Sequence, residues 1–193
     1  MDLAPEILAR ARAGHRASQA EVLRRSVGPV RALIHRLGVP HEREDQVQDA
    51  LAHLLRALPQ FDPRGAAKFS TWAFTVVHRW LLMQRRRRRV ELVPLQVAED
   101  VADGRVGADV QVERRELRAM LDEAVAALPE GQRQVFVLAV MHEVPLEAIA
   151  EAEGVALGTV KSRLHRARAV LALRLGERLD APEQKGAGHA IGR

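Results

Sequence analysis

The sequence predicts an all-α protein: two small helical domains joined by a flexible acidic linker, the second domain closing in a helix-turn-helix. Three observations predict it. The chain of 193 residues is 47% apolar but only 3% aromatic, with no tyrosine, and abundant Ala, Leu, Val and Arg favour helices over sheets. Composition changes sharply after Arg89: from Glu91 to Glu113 there are six acidic residues (Glu91, Glu99, Asp100, Asp103, Asp109, Glu113) against Arg105 alone among the basic ones. Near the carboxyl end, two helix-length apolar patterns meet at Gly154, a residue suited to a left-handed turn.

The elements follow in order. Pro5 suits a first helical turn, and Glu6 to Ala13 read as a short helix stopped by Gly14. Ser18 is placed to cap a second helix with Val22, Leu23, Val27, Val30, Leu33, Ile34 and Leu37 on one stripe. Gly28-Pro29 predicts a kink or short break inside it, and Gly38-Val39-Pro40 end it. A third helix spans His41 to Leu58, with Val47, Leu51, Leu54, Leu55 and Leu58 on one face and Glu44, Asp45, Gln48 and Asp49 on the other. Asp62-Pro63-Arg64-Gly65 is a turn, and a helix follows with Ser70 or a neighbour as its cap.

That fourth segment carries Phe69, Trp72, Phe74 and Trp80 and closes in five consecutive arginines, Arg85 to Arg89. Aromatic rings beside dense positive charge suit single-stranded nucleic acid, where bases stack and guanidinium groups neutralise phosphates. The four-residue spacing of Trp72, Val76 and Trp80 also fits a buried stripe, and the rest of the chain favours that assignment. Thr75, His78 and Arg79 on the same helix are expected to be exposed.

Pro94, Gly104 and Gly107 interrupt any periodicity in the acidic stretch, which reads as a linker. Leu117, Met120, Leu121, Ala124, Val125 and Leu128 open the second domain; Pro129-Glu130-Gly131 turn; Val135 to Met141 form an apolar helix ended near Val144-Pro145. Leu146 to Glu153 and Leu157 to about Leu175 are the helices of the helix-turn-helix, with Ile149, Ala150, Val155, Val160 and Leu164 where they pack. Val155 to Leu175 contain five Lys or Arg and no acid. A helix exposing Lys161, Ser162, Arg163, His165, Arg166 and Arg168 can enter a major groove. The tail from Asp180 reads as disordered.

The formal charge of +5 and pI of about 10.8 point to an anionic partner. With no cysteine, disulfides and thiolate metal sites are excluded. The amphipathic amino terminus and the lack of any long apolar run exclude membrane insertion and make the cytoplasm the expected location. Eight histidines are scattered without a helical metal-ligand pair, and His142-Glu143 before Val-Pro reads as a helix end. No phosphate loop or nucleophile elbow is present. No cofactor and no catalysis are expected.

Taken together, these pieces resemble the extracytoplasmic-function class of bacterial sigma factors, over about Ile7 to Leu175. Asp45-Gln46-Val47-Gln48-Asp49 is similar to the family's acidic D-x-x-Q-E helix, and Phe69-Ser70-Thr71-Trp72 to its F-x-T-W segment. Leu128-Pro129, Gln132-Arg133 and the run Leu157 to Arg168 are similar to its second DNA-binding region. The resemblance implies a domain at 1–90 that binds core RNA polymerase and the −10 element, a linker at 91–112, a −35-binding domain at 113–177 and a tail at 178–193. It implies that Asp45, Gln48, Asp49, His53 and Arg56 dock on clamp helices of the polymerase largest subunit. Asp62, Arg64, Gly65, Ala66, Ala67, Lys68, Thr75, His78, Arg79, Arg85 and Arg86 would serve −10 DNA, the loop capturing a flipped base. Thr159, Lys161, Ser162, Arg163, His165, Arg166 and Arg168 would serve −35 DNA. An anti-sigma factor is a further implied partner. Arg79 and Met83 depart from the Asn and Asp usual in the family, which shifts the expected −10 preference. Two other readings are a stand-alone helix-turn-helix regulator, which leaves the aromatic-basic stretch unexplained, and a sigma-like decoy, which the retained basic faces oppose.

Overall fold

The computed structural model of the chain describes residues 1, 3–65, 67–91 and 110–179, with side chains at all of these except 89–91, 110–116 and 177–179. Among the described residues there is no strand. The expected acidic linker falls outside them apart from its ends, as do Ala66 and the tail from position 180.

Four helices make the first half: α1 (Pro5–Arg12), α2 (Arg16–Leu37), α3 (Arg43–Ala57) and α4 (Phe69–Glu91). Pro5 opens α1 and Gly14, at φ +87°, turns the chain after it. The expected Ser18 cap is corrected. His15 is the N-cap: its Nδ1 accepts from the Ser18 backbone N–H at 3.3 Å, and Ser18 itself sits inside the helix. Of the kink or short break expected at Gly28-Pro29, the break is corrected. Helix α2 runs continuously past Pro29. Proline removes one backbone donor there, but Val22, Ser26, Val30, Leu33, Ile34 and Leu37 are all buried, and tertiary burial along this face outweighs the lost bond. Gly38 closes α2 where its backbone meets the Gln46 side chain of α3, whose Oε1 accepts from the Val39 N–H at 3.0 Å.

The second half holds α5 (Val110–Ala126), α6 (Glu130–Phe136), α7 (Leu146–Glu153) and α8 (Leu157–Leu179). Helix α6 continues into a π-helical turn, Val137–Met141, where a single α-helix was expected. It ends at His142, and Glu143 takes φ 53°. Gly154 closes α7 at φ +69°, ψ 36°, the left-handed conformation its place in the sequence predicts. The Val155 N–H donates to the Ala150 carbonyl at 3.1 Å. Ile149, Ala150, Val160 and Leu164 of the predicted helix-turn-helix core are buried, Val155 is half-buried, and Ala167, which was not predicted, is buried with them.

The halves pack directly on each other. One apolar cluster runs from Val30, Leu33, Phe74, Val77 and Trp80 into Leu128, Val135, Leu138, Ile149 and Leu164. A separate cluster of Leu8, Val22, Leu54, Leu58, Phe61 and Phe69 fixes the start of α4. Helix α4 is therefore covered on two sides, by its own domain and by α7.

Candidate nucleic-acid interface

The loop before α4 is pinned at both ends by aromatic side chains. Phe61 and Phe69 meet edge-on with ring centroids 5.4 Å apart, and Trp72 lies 5.1 Å from Phe61 and 5.8 Å from Phe69. Between them Asp62, Arg64, Gly65, Ala67 and Lys68 are exposed. Asp62 to Gly65 form a hydrogen-bonded turn: Asp62 Oδ1 accepts from the Arg64 N–H at 3.0 Å, and the Gly65 N–H donates to the Asp62 carbonyl at 3.2 Å, the local pattern that Asp favours in turns. A cleft of about 360 Å³ lies under it, walled by Met1, Leu3, Leu8, Phe61 and Phe69. Phe74 and Trp80 are buried and Trp72 and Val76 partly so. The aromatic residues of this stretch are scaffold.

Farther along α4 the expected contacts divide. Thr75 is half-buried, its hydroxyl donating to the Thr71 carbonyl at 2.9 Å. Arg79 is exposed but its guanidinium donates to Glu151 of α7 at 2.7 Å. His78 is corrected: it is 1% exposed, because α7 covers the face of α4 that a single helical period leaves open. Its Nε2 lies 3.4 Å from Glu153 Oε1. Arg85 pairs with Glu130 and the Leu37 carbonyl, and Arg88 with Glu42. Arg86 and Arg87 are exposed.

On α8, Lys161, His165, Arg166 and Arg168 point to solvent. Ser162 and Thr159 are half-buried, with the Ser162 hydroxyl donating to the Thr159 carbonyl at 3.0 Å. Arg163 turns inward: it donates to Glu153 Oε2 at 2.6 Å and lies along Gly131. On α3, Asp45, Gln48, Asp49 and Arg56 are exposed, and His53 is half-buried with its ring 6.5 Å from Trp80. Burial, and then the Arg56 charge, lower the His53 pKa.

Sequence reasoning missed the acidic partners Glu130, Glu151 and Glu153. The available signal was the acidic run Glu147, Glu151, Glu153 on a helix preceding a basic one. It also missed His142, whose ring stands 4.2 Å from Phe74 across the halves. Desolvation, and then the Arg36 charge, hold its pKa down at about 4. Among the described residues no group of His, Cys, Asp and Glu could hold a metal ion, and no helix is long and apolar enough to cross a membrane.

The exposed loop before α4 and the basic face of α8 lie within the two stretches that known families match. Sigma-70 region 2 matches residues 23–91 and sigma-70 region 4 matches residues 118–171. The chain is 31% identical over 145 residues to the ECF RNA polymerase sigma factor SigW of Bacillus subtilis, covering 70% of this chain and 76% of that one. It is 32% identical over 164 residues to the ECF RNA polymerase sigma factor RpoE of Cereibacter sphaeroides, covering 83% and 88%. Among solved structures, the sigma factor RpoE of Bartonella quintana, in complex with the anti-sigma factor NepR, superposes with a TM-score of 0.59 at 26% identity, covering 81% of this chain and 96% of that one. The chain belongs to the extracytoplasmic-function sigma factors of the sigma-70 family, the subunits that direct RNA polymerase to promoters.

Proposed function

We propose a division of labour within this sigma factor. Residues 1–90 dock on core polymerase and serve the −10 element, 113–177 serve the −35 element, and 91–112 connect them, with 178–193 as a tail. The outward face of α3, carrying Asp45, Gln48, Asp49, His53 and Arg56, meets the clamp helices of the largest subunit; its mix of both charges suits a polar interface. The loop Asp62 to Ala67 with Lys68 receives an extruded base, and Arg86 follows the phosphates. Lys161, His165, Arg166 and Arg168 enter the −35 major groove. The protein contributes no catalytic step of its own, and it works in the cytoplasm, where the polymerase is.

The observation that carries this reading is the loop before α4: Asp62 holds the backbone of Asp62 to Gly65 and the Phe61–Phe69–Trp72 rings hold the loop's ends, while Arg64 and Lys68 stay exposed. An ordered loop pays less entropy on capturing a base, which offsets part of the unstacking cost of a few kcal/mol. A partner of the anti-sigma type is supported by the Bartonella quintana relative, solved with one bound.

Run-off transcription with core polymerase over a promoter library tests the assignment. Lys161→Ala with Arg166→Ala should weaken use of promoters with a −35 element. Arg64→Ala with Lys68→Ala should impair opening, read by permanganate footprinting. Asp45→Lys with Asp49→Lys should lower core affinity. Equal loss of core binding in all three sets would refute the division.

A further inference from the structure

Two residues of the second half stand where local preference disfavours them. Glu153 is the last residue of α7, where the carbonyl end of a helix repels a negative charge. Gly131 lies in the first turn of α6, and glycine weakens a helix. Both meet the same side chain. Arg163 Nη1 donates to Glu153 Oε2 at 2.6 Å, and a Cβ on Gly131 would stand 3.3 Å from Arg163 Cζ and Nε. The Glu153 side chain is 5% exposed and that of Arg163 31%. Glu153 Oε1 is buried without a hydrogen bond, so this carboxylate relies on Arg163 for its pairing. Arg163 also sits apart from the other basic residues of α8. At 3.6 residues per turn it lies about 200° round the helix from Lys161, beside the buried stripe of Val160, Leu164 and Ala167. Lys161, His165 and Arg168 share an exposed stripe, and Arg166 is exposed too.

We propose that Arg163 is a positioning residue for promoter recognition and not a reader of DNA: it ties α8 to α6 and α7, and so sets the angle at which Lys161, His165 and Arg166 meet the groove. The inference rests on the assignment of α8 to the −35 element. One guanidinium touches Glu153 of α7 and the bare backbone of Gly131 in α6, so a single side chain of α8 is referenced to both helices behind it. The connection from α7 to α8 is short, and its left-handed Gly154 fixes where the chain turns. The crossing angle is left to side chains, and the planar guanidinium, with donors in fixed directions, holds one better than an apolar contact does. Base recognition needs its groups placed to within about 0.5 Å, so a small swing of α8 moves every reading side chain together. The two residues that weaken their own helices are thus explained by one brace, which links all three helices of the second half that surround the recognition face.

Holoenzyme assembled with the full chain tests this on a labelled promoter duplex and on a panel of duplexes, each changed at one −35 base pair, at a temperature well below unfolding. Arg163→Met should weaken binding about tenfold, by the same factor across the panel and with the salt slope unchanged. Glu153→Met, at a side chain shielded from solvent, should give a similar uniform loss, and the double variant should lose no more than either alone. Gly131→Ala keeps both charges and presses a Cβ onto the guanidinium. It should weaken binding in the same uniform way, and it decides the question if a methionine variant fails to fold. A base reader would instead relax discrimination at one or two base pairs, and a phosphate contact would lower the salt slope by about 1; either result for Arg163→Met overturns the proposal. So does a gain in affinity on Glu153→Met, the sign of an arginine released to DNA. Lower thermal stability with unchanged promoter affinity would leave the pair purely structural and overturn its positioning role. Failure of the −35 assignment itself would show separately, as promoter affinity indifferent to Lys161→Ala with Arg166→Ala.

Discussion

His142 should make the contact between the two halves sensitive to acid. Its ring lies against Phe74 and at the edge of the cleft that also holds Lys68 and Glu143. Arg36, paired with Asp122 at 2.8 Å, adds a positive charge nearby. Burial first and that charge second lower its pKa from 6.5 to about 4. The folded chain therefore keeps the ring neutral while the unfolded chain takes up a proton below 6.5, so stability is full above that pH and is lost as pH falls toward 4. At pH 5 the linkage relation gives about 2 kcal/mol, and because the ring borders an open cleft, screening reduces this to about 1–2 kcal/mol. His35 and His53 are also lowered and contribute in the same direction, so the comparison must isolate one residue. Urea unfolding at pH 7 and pH 5, followed by tryptophan fluorescence, should be run on the native chain and on His142→Gln. The native chain should lose about 1–2 kcal/mol more than the variant. Parallel losses within about 0.3 kcal/mol would refute the argument that this ring is held neutral by its burial.

Two further outcomes can be checked. Gly38→Ala should cost about 2–3 kcal/mol in urea unfolding, because a Cβ there would lie 2.4 Å from Gln46 Oε1 and 2.6 Å from the Ile34 carbonyl, displacing the acceptor of the Val39 N–H. Arg86→Ala with Arg87→Ala should reduce the salt slope of promoter binding by about 1–2, since both are exposed, whereas Arg88→Ala, whose guanidinium already serves Glu42, should change it less.

Local signals were readable from residues alone. Gly154 had to turn left-handed, and Ile149, Val160 and Leu164 had the spacing that buries them; both are properties of a short window. The loop was likewise legible from Asp62-Pro63-Arg64-Gly65. What was not legible depends on which element covers which. His78 lies on the side of α4 away from its own domain's core, and a helical period assigns that side to solvent. Only the approach of α7, distant in sequence, buries it. Pro29 looked like a break because local propensity disfavours it, but a long buried stripe on α2 overrides one missing donor. The π-helical turn at Val137–Met141 has no sequence marker of its own, since an apolar run reads the same in either helix. Capping by His15 in place of Ser18 is a competition between neighbours that sequence preference alone ranked the other way.

The ring cluster of Phe61, Phe69 and Trp72 has a consequence for how such a protein can diverge. It closes the loop at its base, and none of the described residues between, Asp62 to Gly65, Ala67 and Lys68, belongs to the apolar core. The span from Asp62 to Lys68 can then be exchanged as a cassette at little cost to folding. Under the role proposed for this loop, a lineage could adopt a new −10 preference by altering a handful of exposed positions while every buried side chain stays as it is.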